Sequence, residues 1–241
     1  MDCEGGRSPE PDGEDPRDDA GLPAIEDCTA KGTSINITLI FSLDRYKAVV
    51  EAYLRGLERL VASGGDPSKV ASVASFFVSR VDTEADQRLD EAGHPELKGK
   101  LAIANAKLAY QHYLEAFSSH RWAYLEGKGA TKQRCLWAST STKNPEYRDV
   151  MYVEELIGPE TVNTMPLETI RAFQEHGEVR GDTVLDGVKK AHKLLEKLAE
   201  AGIDYDDVTD TLEAEGVQKF SDSFDQIVES IRAKRSSLAA A

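Results

Sequence analysis

In SINITLIFS, residues 34–42, an asparagine and a threonine stand two residues apart in a run that is otherwise apolar. The period-two alternation of a strand puts Asn36 and Thr38 on one face, opposite Ile35, Ile37, Leu39 and Phe41. Similar polar groups recur at three later apolar segments. SVASFFVSR, 72–80, offers Ser75 with Arg80 at its end. QRCLWAST, 133–140, runs into Ser139, Thr140, Ser141, Thr142 and Lys143, and ETVNTMP, 160–166, holds Asn163 and Thr164. Together they suggest a polar pocket at the carboxyl ends of strands, with Arg80 and Lys143 supplying positive charge suited to a phosphate. A plainer reading stays open, in which Ser and Thr simply suit strands and Arg80 pairs with Asp82.

The elements that must position these residues can be read from periodicity. Ser42 is placed to cap a helix whose apolar residues Leu43, Tyr46, Val49, Val50, Tyr53, Leu54, Leu57, Leu60 and Val61 recur every three or four positions, up to Gly64 and Gly65. A second helical pattern runs from about Glu96 to Phe117, and a third follows ETVNTMP with Leu167, Ile170 and Phe173. From Asp182 onward the pattern is helical in about three segments, broken near Gly202 and Gly216. GLPAIEDCTAKG, ahead of the first strand, reads as a helix ending near Gly32. Four strands alternating with helices predict βαβ units, an α/β fold and a parallel sheet. A doubly wound open sheet and part of a (β/α)₈ barrel both satisfy the pattern, although polar groups on an inward strand face suit the mouth of a barrel.

Composition narrows the function classes. The net charge is −14, from 43 acidic and 29 basic side chains, which disfavours nucleic acid and anionic membrane surfaces as partners. Residues 1–20 hold eight acids, two arginines and almost nothing apolar, and are expected to form a disordered tail ahead of a domain at 21–241. Cys3, Cys28 and Cys135 are far apart and form no CxxC pair, so neither a disulfide framework nor a zinc site is expected. No metal or cofactor is called for. No apolar run reaches membrane-spanning length, and the acidic start resembles neither a signal nor a transit peptide.

Four stretches carry a family resemblance: GLPAIEDCTAKGTSINITLIFSLDRYKAVVEAYLRGLERL, SVASFFVSRVDTEADQRLD, LWASTSTKNPEYRDVMYVEELIGPETVNTMP and GVQKFSDSFDQIVESI. They resemble the second half of transaldolase in its plant and actinobacterial form, over Gly21 to about Arg232. The resemblance implies an incomplete (β/α)₈ TIM barrel of the class I aldolase type, holding about four βα units, strands 5–8, with extra C-terminal helices. It implies the pentose-phosphate reaction: a dihydroxyacetone unit moves from sedoheptulose 7-phosphate to glyceraldehyde 3-phosphate through a lysine Schiff base.

Carried over by position, Asn36 and Thr38 would stand near the Schiff base and its catalytic water. Ser75, Phe77 and Arg80 would shape the pocket with Arg80 on the phosphate, and Ser139 would be a phosphate-site serine. Lys143 is the candidate for a further phosphate-binding cation. The sequence departs from the family where a KIPAT-like segment with the lysine would precede GLPAIEDC; here GEDPRDDA stands in that place. The expectation is therefore an inactive chain, or else a non-catalytic protein that binds sugar phosphates. Self-association through exposed barrel edges and cytoplasmic or plastid residence complete the reading. His94, His112, His120, His176 and His192 show no metal-binding spacing, GKG at 127–129 reads as a turn, and Tyr110, Trp122 and Tyr124 are expected to pack between helices.

Overall fold

The computed structural model describes residues 21–239, so the acidic segment 1–20 lies outside the described residues. Helix α1 (Gly21–Ala30) leads into strand β1 (Ile35–Ile40) and the long helix α2 (Leu43–Ala62). Strand β2 (Ser72–Phe77) is followed by helices α3 (Ser79–Ala92), α4 (Leu101–Ala116) and α5 (His120–Glu126). Strand β3 (Arg134–Ala138), helix α6 (Met151–Glu155), strand β4 (Val162–Asn163) and helices α7 (Leu167–His176), α8 (Val188–Glu200) and α9 (Tyr205–Ala239) complete the order.

The four strands form one parallel sheet in the sequential order β1-β2-β3-β4. This is the α/β arrangement that alternating strands and helices predict. Each crossover runs through helices, because parallel neighbours cannot be joined by a tight turn. One sheet face packs on helices: Ile40, Ala74, Phe76, Cys135 and Trp137 are buried. Tyr46, Phe76 and Trp137 meet edge to face in succession at 6.1 and 6.2 Å. The indole of Trp137 donates to Leu156 O at 3.0 Å, so this large side chain is both packed and satisfied. Burial pushes the Cys135 thiol up to about 12, and its Sγ lies 3.2 Å from the Tyr46 hydroxyl. Cys135 is a packing group here.

Helix α2 forms as its periodicity predicts. Ser42 Oγ accepts from Arg45 N at 3.0 Å, and Tyr46, Val49, Val50, Tyr53, Leu54, Leu57 and Leu60 are buried. Its contact with α1 depends on Gly56, where an added Cβ would stand 2.5 Å from Thr29 Cβ. No larger residue fits so close an approach of two backbones.

Four expectations need correction. The alternation in β1 fails at its end, since Leu39 has φ 59° and the register against β2 shifts between Ile37 and Ile40. This bulge turns Ile40 into the core beside Phe41. The run 72–80 is not one strand, because β2 stops at Phe77 and Arg80 stands in the first turn of α3. The helix expected to break near Gly216 is continuous, as α9 spans Tyr205–Ala239. Gly216 is a packing position in which an added Cβ would come within 3.1 Å of Leu39 Cδ2. Tyr110 and Trp122 are buried as expected, but Tyr124 is exposed, with Lys128 over its ring at 5.6 Å.

Candidate functional site

The parallel register sets Asn36 and Ser75 together on the second sheet face. Asn36 is registered with Val73, and Ser75 and Phe77 follow on that face at period two. The Ser75 hydroxyl donates to Asn36 Oδ1 at 2.7 Å, linking β1 to β2. Ser75 is buried, whereas Asn36 and Thr38 are exposed. Their face is therefore accessible along β1, and one Asn36 oxygen is already engaged.

A second cluster stands where β2 and β3 end. The Ser79 and Ser139 hydroxyls meet at 2.9 Å, and Ser79 N donates to Ser139 O at 3.0 Å. Ser139 has φ 56°, a left-handed conformation that costs a non-glycine residue about 1–3 kcal/mol and is commonest at working sites. That turn lets both its carbonyl and its hydroxyl reach the start of α3. The next residue, Arg80, is half-buried with its guanidinium carbon 5.0 Å from the Phe77 ring centre. Stacking holds the fork without consuming its donors. Among the described residues no carboxylate pairs with Arg80 within 4 Å. Asp82, the partner suggested by sequence, instead accepts from Ala102 N at 2.7 Å and from Tyr152 Oη at 2.8 Å.

On the other side of β3, the Thr140 hydroxyl donates to Asn163 Oδ1 at 2.8 Å. Thr164 is exposed and bonds Trp137 O through its amide at 3.1 Å. Lys143 is drawn away from these groups. Its Nζ donates to Ser141 Oγ at 2.9 Å, and it lines a cavity of about 440 Å³ together with Asp82, Asp86, Asp90 and Glu91. An anion there would meet carboxylates as well as the ammonium. The loop carrying Lys143 is pinned to α3 by the Tyr147 hydroxyl on Asp86.

Ser79 is the residue that the sequence reading passed over. In sequence it closes an apolar run; only the register of β2 on β3 reveals Ser139 as its partner. Helix α9 crosses the same end of the sheet, with Gly216 on Leu39. Glu215 is held below the usual carboxylate range, chiefly by Lys219 and in lesser part by the charge of Arg80. Among the described residues no group of three or more His, Cys, Asp or Glu is arranged to hold a metal ion, and no helix is long and apolar enough to cross a membrane.

A parallel α/β sheet with hydroxyls, an amide and a stacked arginine at its strand ends suits the family read from the sequence. A family model described as transaldolase/fructose-6-phosphate aldolase matches residues 16–231. The chain belongs to that family. A transaldolase of Frankia alni is 54% identical over 214 residues, covering 88% of this chain and 58% of the relative. A transaldolase of Acidothermus cellulolyticus is 54% identical over 213 residues, with 88% and 57% covered. "Transaldolase 2" of Streptomyces coelicolor is 51% identical over 227 residues, with 93% and 61% covered. The chain thus spans about three fifths of the length of these transaldolases while most of its own length is matched.

Proposed function

We propose that the described residues are the last four βα units of a transaldolase (β/α)₈ barrel and that they hold the sugar-phosphate side of its site. The observation that supports this reading best is the cluster at the β2 and β3 ends: Arg80 stacked on Phe77, beside the Ser79–Ser139 pair. Arg80 supplies a fixed fork for a phosphate, and Ser139 adds a hydroxyl beside it. Asn36, aligned by Ser75, and Thr38 offer hydrogen bonds to the carbonyl end of a ketose phosphate. Lys143 contributes long-range positive charge, but its carboxylate neighbours make it the weaker phosphate ligand.

In a transaldolase reaction the Schiff base needs an unprotonated lysine amine supported by proton donors and acceptors. None of the segments INITLI, SVASFF, RCLWA and VN contains a lysine. On our reading these strands bind and orient the sugar phosphate and hold water near the carbonyl carbon, and the amine is supplied from outside them. The chain on its own is then a sugar-phosphate-binding protein without turnover.

Calorimetry with fructose 6-phosphate tests this. Arg80→Ala is expected to weaken binding about 10- to 100-fold, the equivalent of a lost charged hydrogen bond of about 1.5–3 kcal/mol. Thermal stability should hardly move, since Arg80 anchors no ion pair among the described residues. Unchanged affinity in Arg80→Ala would remove the phosphate assignment. Borohydride reduction with the same sugar should leave the intact mass unaltered; a stable adduct would show that this chain has a working amine.

A further inference from the structure

Ser79, the first residue of α3, is wholly buried, and among the described residues its hydroxyl has one hydrogen-bond partner, Ser139 Oγ at 2.9 Å. Its amide donates to the carbonyl of that same residue at 3.0 Å. One buried residue therefore holds both the backbone and the side chain of Ser139. The left-handed conformation of Ser139, at φ 56°, persists only if its surroundings over-determine it, and Ser79 supplies two of the constraints. Ser139 is only half-buried, so its hydroxyl has an open side as well as a closed one. Arg80 follows Ser79 directly, so the same turn of α3 carries the stacked cation and the group that grips the serine.

We propose that Ser79 is a positioning residue, whose buried hydroxyl donates to Ser139 Oγ and so commits the Ser139 proton outward, to a ligand that only accepts, the phosphate dianion of a sugar phosphate. This role rests on the phosphate assignment of Arg80 and Ser139. A serine hydroxyl rotates, and it both donates and accepts. Without ligand the bond between the two hydroxyls runs in either direction. A phosphate dianion has no proton to give, so Ser139 must be the donor to it. The proton between the two serines must then come from Ser79, which has no second partner to divert it. Each bond in such a chain polarises the next, and the burial of Ser79 keeps water from competing for its proton. The Arg80 fork also only donates. The cluster thus becomes a site of donors alone, which suits a phosphate and gives less to a neutral hydroxymethyl group that must place a proton of its own.

Calorimetry with fructose 6-phosphate on the full chain, Ser79→Ala, Ser139→Ala and the double variant tests this. Ser79→Ala should weaken binding about 3- to 10-fold, the loss expected of one neutral hydrogen bond. Made in the Ser139→Ala background, the same change should have no further effect, because no hydroxyl is left to aim. A serine that merely supports the fold would weaken both backgrounds alike. Equal losses in the two backgrounds, or no loss in the parent, overturn the proposal. Ser79→Cys, close in size and a weaker donor, should bind with an affinity between those of the parent and Ser79→Ala. If circular dichroism shows that Ser79→Ala does not fold, the cysteine variant decides by the same comparison. Arg80→Ala separates this role from the phosphate assignment itself. Weaker binding in Arg80→Ala with none in Ser79→Ala leaves the phosphate assignment standing and removes the positioning role. Unchanged affinity in both Arg80→Ala and Ser139→Ala removes the two together.

Discussion

Asn105→Ala should lower Tm by about 10 °C and loosen both the end of β1 and the start of α9. Asn105 is wholly buried in α4, yet it is the meeting point of three other elements. Its Nδ2 donates to Phe41 O at 2.7 Å, and its Oδ1 accepts from the Tyr205 hydroxyl at 2.7 Å. That hydroxyl in turn accepts from Leu43 N at 3.0 Å, one of the amides at the start of α2 that no helical carbonyl can satisfy. Truncation strands the Phe41 carbonyl and deprives Tyr205 of its acceptor where water does not reach. Each buried group so abandoned costs about 1–3 kcal/mol, and in a domain of this length one kcal/mol moves Tm by about 2–4 °C. Tyr205→Phe removes the other half of the relay, and because the two act together the double variant should lose less than the sum of the singles. Differential scanning calorimetry decides the matter. A Tm within 2 °C of the parent, on the order of one kcal/mol or less, would show that the relay is not holding these elements together.

The consequence for function is geometric. Phe41 and Leu39 lie at the carboxyl end of β1, and α9 rests on Leu39 through Gly216. Asn105 thus fixes the carboxyl end of the strand that carries Asn36 and Thr38, and Tyr205 ties the start of α9 to that end.

Much of this arrangement could be read from the chain. The apolar spacing of α2 and its Ser42 cap depend only on local chemistry, and both appear as expected. The strands alternate with helices as predicted, and the family follows from motifs spread over most of the length. What escaped depends on partners distant in sequence. Leu39 carries no local sign of a left-handed backbone; the bulge arises because Ile40 and Phe41 are both drawn into the core. Gly216 looks like a helix breaker because its intrinsic cost of about 1 kcal/mol is legible, whereas the tight contact that favours it is not. Ser79 and Ser139 are unremarkable in sequence until the register sets them side by side. Asp82 reads in sequence as a partner for Arg80, whereas in the fold it is buried and bonded to Ala102 N and Tyr152 Oη.

Asp82→Asn should stabilise the protein at neutral and alkaline pH and flatten its stability between about pH 4 and pH 7. The carboxyl is 1% exposed, and burial is the main reason its pKa is raised to about 7; bonds from Ala102 N and Tyr152 Oη oppose this shift and the charge of Asp86 adds to it. Unfolded, an aspartate titrates near 3.9. Between those values the folded chain therefore binds a proton that the unfolded chain has released, so stability is fully present below about pH 4 and is lost as pH rises through about 7. At about 1.4 kcal/mol per pKa unit, ionisation of this group costs the native state on the order of 4 kcal/mol at alkaline pH. An asparagine keeps the geometry: Oδ1 accepts from Ala102 N, and Nδ2 donates to the Tyr152 oxygen if that hydroxyl turns away. It carries no charge to bury. Urea unfolding at pH 5 and pH 8 separates the cases. The parent should lose stability between the two relative to Asp82→Asn, the variant should be the more stable at pH 8, and parallel stability curves would mean that Asp82 is already ionised in the folded chain at pH 5. Because Asp82 lines the cavity beneath the loop that carries Lys143 and binds Tyr152 of α6, its ionisation also bears on how firmly that loop is seated. Amide exchange in residues 141–150 should accelerate with pH in the parent beyond the intrinsic rate, and in Asp82→Asn it should follow the intrinsic rate alone.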